Sequence, residues 1–205
     1  MHHAARILNA ALHPLFMPVY TVAAILVLDP HLAYFLNPDL RLLTLGIVAL
    51  LTVLFPLFST LLLIRAGVVG DLTMPRRQER AIPYAMTLFY YALAWHVMRK
   101  TPFGDRLEPL FLGAFVALAF TALVTLRWKI SAHMVGIGGL IGAVWATMRA
   151  FGTYDLGLLA VALVSAGALG TARLLTSDHT QGQVFAGAAL GFCCTFLAVG
   201  HMTGL

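Results

Sequence analysis

The chain has 205 residues, 60% of them hydrophobic and only 10% charged, with a formal net charge of +5. A soluble domain of ordinary make-up carries about 25% charged residues, so a soluble fold is excluded. The positive charge forms no basic stripe with interleaved aromatics, which argues against a nucleic-acid partner.

Apolar segments fall at about 15–28, 42–64, 82–98, 108–127, 134–150, 156–172 and 182–202. Runs near 20 residues suffice to cross a hydrocarbon core of roughly 30 Å. The expectation is an all-α polytopic transmembrane bundle in a single domain, residues 1–205. The first segment is short and carries Pro18, so the count is six or seven spans. Before it, MHHAARILNAALHP makes a poor signal peptide, because His13, Pro14 and Pro18 interrupt any apolar core. It reads as a short interfacial helix leading into the first span. Cys193 and Cys194 are neighbours in an apolar run and lack metal-ligand spacing.

Connections at 29–41, 99–107 and 149–155 look like ordinary turns, with Asp-Pro, Asn-Pro and Thr-Pro signals. The other three are richer: DLTMPRRQERAIP at 71–83, RWKISAH at 127–133 and TARLLTSDHTQGQ at 171–183. Two spans separate each from the next, so all three belong on one side of the membrane. That side holds eight Lys/Arg against five on the other. Setting aside Arg76, Arg77, Arg80, Lys129 and Arg173 as functional leaves three against five. The positive-inside rule then puts the motifs on the outer face.

In RRQER, Arg76 and Arg77 lie four and three residues before Arg80, so on a helical turn they share a face. Guanidinium forks suit phosphate oxygens; the bland alternative is an anchor of arginines at a span end. In KISAH, Lys129, Ser131 and His133 lie where a helix begins and its N–H groups attract anions. Ser131 would cap that helix or donate to a phosphate oxygen. His133 would donate a proton to a leaving oxygen or simply sit at the interface. The glycines at 136, 138, 139 and 142 permit close helix approach, as do Gly187 and Gly191. In the third connection His179 and Gln183 are four apart, so the amide oxygen would accept from a ring N–H and fix the tautomer. Arg173 would hold a phosphoryl oxygen.

This ordered set resembles the type 2 phosphatidic acid phosphatase superfamily of membrane lipid phosphatases. The family pattern is K-x6-R-P, then P-S-G-H, then S-R-x5-H-x3-D. Here Arg80 precedes Pro83, Ser131-Ala132-His133 stands for S-G-H, and Arg173 with His179 matches R-x5-H. HPLFMP near the start and ARLLTSDHTQGQVFAG near the end belong to the same picture of a divergent branch. Thr73 replaces the first basic residue, so Arg76 or Arg77 would substitute for it. Ile130 stands for the proline, Ala172 for the serine and Gln183 for the aspartate. The resemblance implies that His179 attacks phosphorus and forms a phosphohistidine, while His133 protonates the leaving oxygen. Arg80, Arg173 and Ser131 would hold the phosphoryl oxygens, with Arg76, Arg77 and Lys129 as further phosphate ligands. Gln183 would orient His179. The substrate would be a lipid or polyprenyl phosphate or diphosphate, with no metal and no cofactor.

The competing expectation is a binder or transporter of lipid phosphate. It follows from Gln183, a neutral amide that orients an imidazole without stabilising imidazolium. An intramembrane prenyltransferase would need D-x-x-D pairs, which the six aspartates do not form. Neither a zinc motif nor a rhomboid-like serine motif is present. Membrane lipids are the other implied partners, and the oligomeric state is not legible from the chain.

Overall fold

A computed structural model describes residues 2–71, 77–176 and 179–203. The protein is an all-α polytopic membrane bundle, and the described residues contain no strand. Six helices are long and apolar enough to cross a membrane: His3–Leu28, Pro38–Arg65, Gly104–Thr125, Ala132–Phe151, Leu156–Leu175 and Gln181–His201. The helix Ala81–Met98 is a seventh, shorter apolar element.

Helix α1 (His2–Ala11) is amphipathic and packs on the span Leu156–Leu175. A 3-10 turn, Pro14–Phe16, breaks it from α2 (Met17–Leu28). Proline drives the break: Pro14 and Pro18 both sit at the first positions of their helices, where a missing N–H costs nothing. Twelve residues rise only ~18 Å, so α2 crosses the hydrocarbon only with help from its flanks.

The connection at 29–41, read from sequence as a plain turn, contains α3 (Pro30–Phe35). Asp29 caps it, accepting from the His31 and Leu32 N–H groups. Helices α4 (Pro38–Ala49) and α5 (Phe55–Arg65) run on through a π turn, Leu50–Leu54. Pro56 has no N–H to give, and the Phe55 N–H reaches back to the Leu50 carbonyl.

A 3-10 turn at Arg77–Arg80 starts α6 (Ala81–Met98), 18 residues that pack against α7 (Gly104–Thr125). Then follow α8 (Ala132–Phe151), α9 (Leu156–Leu175) and α10 (Gln181–Thr203).

Two polar ends result. At one, buried Asp29 pairs with Arg106 at 3.1 Å, Arg106 lies over the Phe151 ring, and the Thr153 hydroxyl donates to the Leu28 carbonyl. Connections 29–41, 99–107 and 149–155 therefore meet there, as chain parity requires. The core between the ends is built on Val22, Leu32, Val48, Met98, Leu107, Phe111 and Met148.

Helix α8 is the most buried span, and α10 is its principal neighbour. Their seam is glycine because backbones touch there. A Cβ on Gly187 would lie 2.7 Å from the Ser131 carbonyl oxygen, and one on Gly191 would overlap the Val135 carbonyl. The G-x-x-x-G in α10 is thus a packing motif. Gly191→Ala is expected to force the two helices apart and cost about 1–3 kcal/mol. A thermal unfolding scan in detergent checks this, with a lowered Tm as the expected result.

Candidate functional site

The opposite end collects the three rich connections and the turn before α2. Helices α6, α8 and α10 all begin there. Their N-terminal ends supply partial positive charge in addition to the arginines. A chamber of ≈ 510 Å³ opens among them, lined at this end by His13, Arg80, Tyr84, His133, Arg173 and His179. Among the described residues, no Asp or Glu lines it. Deeper, the walls are apolar, with Val22, Val53, Leu110, Phe111 and Leu140. The chamber is therefore polar at one end and oily along its length.

His179 lies in the connection between α9 and α10. The Gln183 amide oxygen accepts from the Thr180 N–H at 3.1 Å, a capping arrangement at the start of α10. The same oxygen lies 3.3 Å from His179 Nδ1, and the Lys129 carbonyl oxygen lies 3.1 Å from it. Both neighbours accept, so Nδ1 carries the proton and Nε2 keeps its lone pair. The expected His179–Gln183 bond is present. Burial, then the Arg173 guanidinium, hold this imidazole below its usual pKa, and its two hydrogen bonds oppose the shift. A neutral ring is the form with a usable lone pair, and it persists to more acid pH than an exposed histidine allows. Arg173→Gln removes one lowering influence, so the His179 pKa is expected to rise towards 6.5. A titration followed by NMR of labelled imidazole checks it.

His133 sits in the first turn of α8, where no side chain caps the helix. Its Nε2 donates to the Asn9 carbonyl at 3.1 Å, tying α8 to α1. Arg173 occupies the last turn of α9, and Arg80 the cap position of α6 beside the Tyr84 hydroxyl.

The remaining candidates are placed differently. Ser131 is fully buried, makes no side-chain cap bond and is not among the lining residues. Close approach of Gly187 to its carbonyl wedges this residue between α8 and α10, behind the chamber wall. Lys129 presents its carbonyl to His179, and its side chain is not part of the lining. Arg76 lies outside the described residues, as does the side chain of Arg77.

Two chamber residues escaped the sequence reading. His13 stands with its ring edge-on to His133, centroids 5.2 Å apart. Tyr84 accompanies Arg80. The signals were present as His13-Pro14 and as Tyr84 four residues after Arg80, yet only the fold shows that both face the same space. Among the described residues no three His, Cys, Asp or Glu side chains gather as a metal cluster.

Fold and site together define a polytopic membrane helix bundle with a chamber rich in imidazole and guanidinium at one end. The chain matches no family profile, no curated protein and no solved structure.

Proposed function

We propose that the protein is a membrane lipid phosphatase that cleaves a lipid or polyprenyl phosphate or diphosphate through a phosphohistidine. The observation that carries this reading is His179: a neutral ring with Nδ1–H held by two acceptors and Nε2 kept as a base, in a chamber wall that also holds Arg173. An imidazole so arranged is a nucleophile, and a guanidinium beside it suits phosphoryl oxygens.

In the reaction, His179 Nε2 bonds to phosphorus as the bond to the lipid oxygen breaks. The leaving oxygen takes a proton from His133 as its imidazolium, a form the bound phosphate anion favours; its Nε2–H exchanges the Asn9 carbonyl for that oxygen, and the ring is left neutral. Water then attacks phosphorus, the P–N bond breaks, and a water proton returns to His133. The products are the lipid alcohol and inorganic phosphate; a diphosphate gives the lipid monophosphate. Arg80 and Arg173 stabilise the charge on the equatorial oxygens, and the N-terminal end of α8 adds to them. The apolar walls take the hydrocarbon chain, which reaches the chamber sideways from the bilayer. The membrane on this reading is a bacterial inner membrane, with the site on its outer face, as the Lys/Arg tally favours once the five cations assigned to the phosphate site are set aside.

A second reading is favoured by Gln183. Its oxygen is shared between the Thr180 N–H and His179, and it carries no charge to stabilise imidazolium. On that reading the chamber binds or moves lipid phosphate without cleaving it.

The deciding experiment is phosphate release by purified protein from a panel of lipid phosphates, with chelator present. Release that requires an intact site supports the phosphatase. Saturable binding without release supports the carrier.

A further inference from the structure

We infer that the turn joining α1 to α2 completes the anion site, and that His13 is a direct ligand of the phosphoryl oxygens. This rests on the reading of the chamber as a phosphate site.

Three observations carry it. First, His13 lines the polar end of the chamber together with His133, Arg173 and His179, although it comes from a segment far away in sequence. Second, its protonation is set by the turn. Nδ1 accepts from the Leu15 N–H at 3.4 Å, so the ring proton lies on Nε2. That tautomer has one hydrogen-bond donor, the group that an anion requires. Third, the turn is held in place from both sides. The Phe16 N–H donates to the His13 carbonyl at 2.9 Å, and the Asn9 carbonyl holds His133. Met17 packs against Gly136, where a Cβ would approach the Met17 Cγ to 2.8 Å. That glycine lets the turn sit directly on the first turns of α8.

Among the described residues, three imidazoles and two guanidiniums line the chamber. A structural histidine packed only against His133 needs its ring and not its N–H. A phosphate ligand needs the N–H.

The test uses that difference in the full chain. His13→Phe keeps the ring contact with His133 and deletes the donor; His13→Gln keeps an N–H donor and deletes the ring. The probes are a polyprenyl phosphate for turnover and inorganic phosphate for thermal stabilisation. For His13→Phe we expect KM to rise about tenfold with kcat little changed, and the phosphate-induced rise in Tm to shrink. His13→Gln should recover most of both. An unchanged KM and Tm response in His13→Phe, alongside a responsive native protein, would overturn the role of His13 and leave the phosphate site standing. A defect in His13→Gln as large as in His13→Phe would also overturn it. A native protein that neither releases phosphate nor gains stability from it would sink both.

Discussion

His179→Ala is expected to lower phosphate release by about 10⁴-fold or more, because in the proposed reaction His179 alone bonds to phosphorus. Its orientation comes from two acceptors on opposite sides of the chain: the Lys129 carbonyl before α8 and the Gln183 amide in α10. His133 does not substitute for it, since its Nε2 carries a proton, shared with the Asn9 carbonyl, and has no lone pair to offer. The measurement is initial rate on a lipid phosphate, with a Tm scan to show that the variant is folded. His179 lies between helices and is only half-buried, so its loss should move Tm little. Rapid acid-free quenching with radiolabelled substrate should trap a phosphoryl adduct that survives alkali and is lost in acid. A wild-type rate retained by His179→Ala would remove phosphohistidine chemistry from consideration.

Gln183→Asp should raise the rate by roughly 2–30-fold. A hydrogen bond to a charged partner is worth ~1.5–3 kcal/mol, against about 1 for a neutral one, and each 1.36 kcal/mol of barrier is tenfold. Position 183 is one turn after His179 and three residues after Thr180. A carboxylate there remains able to accept from the Thr180 N–H. It also meets the positive end of α10, which favours an anion in the first turn. Charge then lies beside the ring as it becomes positive on attack. The variant separates the two readings. A gain in that range identifies the site as a phosphatase with a weakened orienting group. No activity in either form over a broad lipid panel identifies a binding or transport chamber.

Much of this architecture can be read along the chain, and the reason is periodic. Apolar runs such as 134–150 and 156–172 have one physical solution in a bilayer, a helix with every backbone bond closed, and parity then orders the ends. That Arg80, His133, Arg173 and His179 lie at one end of the bundle follows from that parity alone. The His179–Gln183 bond was equally legible, because spacing of four on a helix start is local geometry. Where packing decides, the sequence is silent. Ser131 has the right type and place for a ligand, but the glycine seam of α10 presses that residue behind the wall. Lys129 serves through its carbonyl, a group every residue owns, so no reading of side chains would find it. His13 is separated from His133 by 120 positions; only a proline-made break between α1 and α2, seated on Gly136, brings the two rings together. Local pattern thus determined which ends meet, and contact between distant helices decided which side chains at those ends share one space.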